Sequence, residues 1–268
     1  MDRVEIANTN AGMRVDSKFD PQTIAALAEG GLDVICHRGF YDAEICSAVL
    51  PNIRKACDAA NYTLTSDLQS IGTSMGEAEQ SCQHEAEYFA TAPETKELIR
   101  NGLFRTFLSP VDRIRLLADE SWPAGATIAR VKGKPMLSGI VRRWVAGGHA
   151  NPHIDQKELA ILSDLSLHRR IGINVYLAMP DPGAGGDIEF WHRVTDETEY
   201  EKAKRSDYGL DRDALGDPSL VITPSSGDLV AFDAGRIHGV RGIQAGERVT
   251  VACFLGVRDT RHPLYQFA

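Results

Sequence analysis

Arg248–Phe254 reads RVTVACF, so Val249, Val251 and Cys253 alternate with Arg248, Thr250 and Ala252. Successive side chains leave a β-strand on opposite faces, which gives this strand one apolar face and one carrying a guanidinium and a hydroxyl. The apolar face calls for a cover and the polar face for a cavity. INVYLAM (173–179) behaves alike, with Ile173, Val175, Leu177 and Met179 opposing Asn174, Tyr176 and Ala178. From about Thr127 onward the chain continues in short β-type runs, among them ATIARVKG, SGIVRRWVAGG, GGDIEFW, SLVITP and GDLVAFDAG, most bounded by Gly or Pro. Many short strands with tight turns predict a sandwich or barrel.

The cover comes from the other half. PQTIAALAEGG (21–31) has helical spacing and stops on a Gly pair. YDAEICSAVLPNIRKACDAAN (41–61) starts at an Asp42 cap and keeps Ile45, Val49, Ile53 and Cys57 on one face. SPVDRIRLLADES (109–121) has Ser109 as N-cap and Pro110 in the first helical position. We expect a single α+β domain over 1–268, with 1–122 as mainly helical support and 123–268 as the β core. The charged stretch within 192–218 interrupts two strands and is too long for a hairpin loop, so it is expected to be a lid-like insertion.

Composition narrows the function. The 43% hydrophobic content is that of a globular protein, and the net charge of −8 argues against holding nucleic acid or an anionic membrane through excess Lys and Arg. Five cysteines without CxxC or framework spacing argue against structural zinc and a disulfide scaffold. No apolar run approaches the roughly eighteen residues of a membrane span, and the N-terminus lacks a signal-like pattern. A cytoplasmic protein is expected, and a homodimer is the default assembly.

The candidate chemistry lies in HANPHIDQ (149–156). His153 and Asp155 stand at i and i+2, so on a strand both leave the same face and can reach one ion. His238, after DLVAFDAG, offers a third ligand. Two His and one carboxylate on one side of an ion form the facial triad of non-haem Fe(II) oxygenases. Ten residues after His238 comes Arg248, with Thr250 on the same face, and an inward guanidinium fork suits a dicarboxylate co-substrate.

The segment from Ile140 to Gly256 resembles the Fe(II)/2-oxoglutarate-dependent dioxygenase superfamily, in its prolyl-hydroxylase-like branch. RRWVAGGHANPHID matches that branch's Arg-aromatic pair, following Gly and H-x-D, and GINVYLAMPDPGAGGDIEF its strand, loop and Gly-Gly strand. PSSGDLVAFDAGRIHGVRGIQAGERVTVACFLGV resembles its Gly-Asp turn, distal His and co-substrate Arg, and GFYDAEIC its opening helix. The resemblance implies a double-stranded β-helix, or jelly-roll, barrel flanked by the N-terminal helices. It implies Fe(II) held by His153, Asp155 and His238, 2-oxoglutarate held by Arg248, Thr250 and Trp144, and O2 as oxidant. Trp144 departs from the Tyr usual there, and Ala150 from a position often aromatic in relatives.

The insertion is similar to that of stand-alone enzymes hydroxylating or halogenating free or N-substituted amino acids and similar metabolites. Halogenating members carry Gly or Ala where this chain has Asp155, so hydroxylation of a small molecule is expected. Desaturation, cyclisation and epimerisation, or a halogenase-related reaction, remain open within the class. Hydroxylation of a protein side chain is disfavoured by the long insertion. A cupin-like metal-binding isomerase without oxygen chemistry is the alternative from another class, and needs no inward Arg248. His149, Arg143 and Trp191 are candidate substrate contacts, although Arg142 and Arg143 alternate and only one can look inward. His192 carries the same two readings as His149. His37, His84, His168 and His262 are expected to be structural or surface residues.

Overall fold

Alternation makes the 169–178 and 247–257 segments the central strands of the larger of two sheets. The computed structural model describes residues 12–59, 63–65, 67–194, 197–204 and 209–268. Among these, a ten-stranded sheet runs in the order Val15–Asp16, Val34–His37, Leu229–Asp233, Arg169–Ala178, Glu247–Val257, Ile140–Val145, Leu68–Ile71 and Thr63–Thr65, with Leu264–Phe267 and Ala126–Ile128 attached beside Glu247–Val257. A four-stranded sheet of Leu220–Ile222, Ile188–Val194, Arg236–Val240 and Ala150–His153 faces it. This is the expected jelly-roll.

The two faces of the large sheet do different work. Outward, Ile173, Val175, Leu177, Val249, Val251, Cys253 and Leu255 are buried in one core with Ile24, Leu27, Val49, Ile53, Val111 and Ile114 of the covering helices. Those helices are Pro21–Glu29, Ala43–Ala59 and Pro110–Ser121. Their ends follow local chemistry: the Asp20 carboxylate accepts from Gln22 and Thr23, Gly30 closes the first helix in the left-handed region, and the Ser109 hydroxyl accepts from the Asp112 amide. Asp42 caps the second helix as expected, accepting from the Glu44 amide at 2.7 Å. Inward, Val34, Cys36, Tyr176, Val230 and Phe232 meet Ile188, Phe190, Leu220 and Ile222 of the small sheet. Apolar contacts therefore seal one end of the space between the sheets.

The alternation of INVYLAM breaks at its end. A bulge lies between Tyr176 and Ala178, so Ala178 packs with the helices and Met179 joins the inner cluster around Tyr176, opposite to the expected side. The first 122 residues also do more than cover. Val34–His37 and Leu68–Ile71 pair into the large sheet. Cys82–Glu97, continued by a π-helical turn at Leu98–Phe104, adds a helix that buries only Tyr88 and Ala92 fully and so leaves little periodic signal. All five cysteines are free thiols, four of them buried. Among the described residues no helix is long and apolar enough to cross a membrane.

Within the insertion, Glu197–Ala203 and Arg212–Leu215 are helical. Tyr200, Leu210 and Leu215 pack with Trp191, Ile154 and Ile237 on the outer face of the small sheet. The Leu210 amide donates to the Pro152 carbonyl at 2.7 Å, extending the edge that carries Ala150–His153. Residues 195–196 and 205–208, also part of the expected lid, lie outside the described residues.

Candidate active site

His153 and His238 stand directly opposite one another on neighbouring antiparallel strands, so their rings share the inner face of the small sheet, with centroids 4.3 Å apart. Asp155, two residues beyond His153, follows on the same face. Its carboxylate lies 3.7 Å from His153 Nε2 and 3.3 Å from His238 Nε2, and the three ligand atoms fall within 4.8 Å of one another. His153 Nδ1 meets the Asn151 carbonyl at 2.7 Å and His238 Nδ1 the Arg236 carbonyl at 2.9 Å. A carbonyl only accepts, so both Nδ1 atoms carry a proton, and each ring turns its Nε2 toward Asp155.

Electrostatics keep this donor set ready. Burial, with His238 beside it, pulls His153 down to about 4, against the opposing pull of Asp155. Burial acts to raise Asp155, but His153 and His238 outweigh it and hold the carboxyl well below the usual range. His153 therefore offers a lone pair and Asp155 a carboxylate around neutral pH, and with the His238 ring beside them they form the donor chemistry that suits divalent iron. The loop after Asp155 is held by a residue that sequence reading missed. Buried Arg170 donates to the Asp155 carbonyl at 2.9 Å and to the Lys157 carbonyl, while the Asp155 amide donates to Ala234 at 2.8 Å.

Across from the cluster the large sheet presents the polar face expected from RVTVACF. Arg248 is 3% exposed and Thr250 fully buried; Arg248 Nε and Thr250 Oγ1 have no hydrogen-bond partner among the described residues. Such buried polar atoms are costly unless an anion meets them, and a carboxylate fits a guanidinium and a hydroxyl together. Trp144 lies opposite Arg248 on the next strand, on the same face. Tyr176, opposite Thr250 on the other side, was not picked out as a site residue. Its ring lies 5.0 Å from the Arg248 guanidinium carbon, with Arg248 donating to its hydroxyl at 3.4 Å. Burial raises the Tyr176 phenol, which stays a neutral donor and acceptor. Its position in the alternation was legible, but its pairing with Arg248 needed the register.

The register also settles which arginine looks inward. Arg142 stands opposite Thr250 and shares the inner face. Arg143 was the expected substrate contact, but it points outward, where its guanidinium binds Glu247 and Asp58, each at 2.7 Å, and Gln69 at 3.0 Å. Trp191 is likewise on the wrong face for a pocket wall: Phe190 is the inward neighbour, and the Trp191 indole donates to the Gly216 carbonyl at 2.9 Å beneath the insertion. His149 is exposed, with its Nδ1 3.2 Å from the Gly147 carbonyl, apart from the cluster. His192 is exposed too. His37 accepts from the Phe19 amide, while His84, His168 and His262 contact Ser81, Arg258 and Asp259, in keeping with structural or surface roles.

Comparisons agree with this geometry. The L-gamma-glutamyl-L-propargylglycine hydroxylase of Streptantibioticus cattleyicolor is 32% identical over 139 residues, and the L-isoleucine 3(1)-dioxygenase of Pantoea ananatis 26% identical over 145 residues. Each match covers about half of this chain, and the chain spans about half the length of these curated relatives. An N-substituted L-amino acid dioxygenase from Burkholderia ambifaria AMMD shares the fold, with a TM-score of 0.61 at 16% identity over 92% of this chain and 91% of that one. Residues 139–256 match the family model of the 2OG-Fe(II) oxygenase superfamily, a span that coincides with the strands that carry the His-Asp-His cluster and Arg248.

Proposed function

We propose that the chain is an Fe(II)- and 2-oxoglutarate-dependent oxygenase that hydroxylates a small amino-acid-type metabolite. One observation carries the reading: a His153–Asp155–His238 donor set faces Arg248 and Thr250, whose buried polar atoms call for an anion. His153, Asp155 and His238 would hold the iron from one side and leave its remaining positions open. Arg248 and Thr250, with Tyr176 and Trp144 beside them, would grip the far carboxylate of 2-oxoglutarate and so orient its other end toward the ion. When bound, iron with 2-oxoglutarate and O2 supplies the oxidising chemistry that puts a hydroxyl on a C–H bond. Phe232 and Phe190, with ring centroids 4.5 and 6.3 Å from that of His238, wall the site on the His238 side. Asp155 occupies the ligand position that a halogenating enzyme would leave to chloride. The names of the two curated relatives and of the Burkholderia structure support an amino-acid-type substrate.

The test is an anaerobic titration with Fe(II) and 2-oxoglutarate, watching the weak visible metal-to-ligand charge-transfer band, followed by succinate release in air with a panel of amino acids. A band together with substrate-dependent succinate is the expected result. Tight iron binding with no band would refute the reading and favour a cupin-like metal protein without oxygen chemistry.

A further inference from the structure

Arg142 is a second inward cation for which the proposed co-substrate has no use. In register it belongs to a row of Ser70, Arg142, Thr250 and Tyr176 across the inner face of the large sheet. Its Nε is buried with no hydrogen-bond partner, and none of its nitrogens pairs with a carboxylate among the described residues. Its neighbour Arg143 shows the contrast, being only 17% exposed yet bound to Glu247 and Asp58 on the outer face. A buried or half-buried guanidinium left without an anion is costly, and no described residue supplies one, so the position calls for an anionic occupant.

Charge counting says what that occupant is. Two neutral imidazoles and one carboxylate around a divalent ion leave one positive charge. A dicarboxylate co-substrate turns this to one negative, and Arg248 restores neutrality. Arg142 is then one positive charge in excess on the inner face of the sheet. Resting on the oxygenase reading above, we infer that Arg142 is the specificity-determining residue for the substrate, binding a carboxylate that the substrate carries and so turning the remainder of the molecule toward the metal. The planar fork of Arg suits a carboxylate bidentately, and an inward row position one residue pair from Arg248 keeps the two anions apart.

The experiment compares wild type, Arg142→Gln, Arg142→Lys and Arg248→Gln, each loaded anaerobically with Fe(II). Affinity for 2-oxoglutarate is read from the charge-transfer band, and binding of L-amino acids and N-acetyl amino acids, each beside its carboxamide, by calorimetry on the loaded proteins. In wild type the free acids are expected to bind roughly 10- to 100-fold more tightly than their carboxamides. Arg142→Gln should erase that difference while leaving 2-oxoglutarate affinity within about twofold, and Arg142→Lys should recover part of it.

Three results would overturn the inference. One is a loss of 2-oxoglutarate affinity in Arg142→Gln as deep as in Arg248→Gln, which would make Arg142 a co-substrate residue. Another is acid-over-amide preference that survives in Arg142→Gln. The third is wild-type protein that binds no carboxylate-bearing member of the panel. Absence of the band in wild type is a separate outcome: it removes the oxygenase reading itself and this inference with it.

Discussion

Arg248→Met is the most informative single perturbation of the proposed co-substrate pocket. Methionine keeps most of the volume of a side chain that is 3% exposed, so the substitution removes charge and hydrogen bonds more than packing. Each hydrogen bond from a guanidinium to a carboxylate contributes about 1.5–3 kcal/mol, and removing one partner of a buried charged pair costs about 2–5 kcal/mol. Two such bonds to the distal carboxylate predict a loss of about 3–5 kcal/mol, hence roughly 150- to 5,000-fold weaker 2-oxoglutarate binding. Tyr176→Phe is the graded control. It keeps the ring 5.0 Å from the guanidinium and removes a hydroxyl whose contact with Arg248 is a long 3.4 Å, so its effect should be no more than about 1 kcal/mol, or fivefold. The assay is anaerobic 2-oxoglutarate titration of the Fe(II)-loaded proteins, with iron content measured for each. Equal affinity in wild type and Arg248→Met, at equal iron content, would refute the assignment of this pocket to the co-substrate. Tyr176→Phe as damaging as Arg248→Met would put the phenol in place of the guanidinium as the main anchor.

Three further outcomes are expected. Asp155→Gly should lower iron affinity by more than about tenfold and abolish hydroxylase turnover; a variant that hydroxylates at wild-type rate with tightly bound iron would remove Asp155 from the ligand set. Gly172→Ala would set a Cβ 2.7 Å from the Phe232 ring, which lies against His238, and should cost about 1–3 kcal/mol, seen as a fall in Tm of roughly 2–10 °C. An unchanged Tm would mean that the ring has room to retreat.

Burial opposes ionisation of Asp112, but bonds from Arg100 and Ser109 lower its pKa below the usual value. The unfolded chain then binds the proton more readily, so this stabilisation is present above about pH 4 and is lost as pH falls through the folded value. Asp112→Asn should therefore lower stability near neutrality and flatten the acid limb of a Tm-versus-pH curve; a parallel curve would mean that Asp112 does not report that transition.

The strands around Arg248 and Tyr176, the capped helices at Asp42 and Ser109 and the H-x-D spacing were legible in the chain because each depends on neighbours a few residues away. Alternation needs only the β backbone, and a cap only the first turn of its helix. The same alternation showed that one of Arg142 and Arg143 must look inward. Which one was decided by the register between the 140–145 and 247–257 strands, since a shift of one residue exchanges every side chain between faces. The bulge after Tyr176, which sends Met179 inward, is a property of the strand pair that no run of residues announces. Trp191 reads as a pocket wall in isolation, and only the pairing of Phe190 with His238 turns it to the far side. Val34–His37 and Leu68–Ile71 are four residues each and become strands because a sheet edge is there to receive them. Residue types and short spacings therefore determined the chemistry this chain can offer. Long-range pairing decided which of those residues meet, because no local interaction records which face of a distant strand a side chain will share.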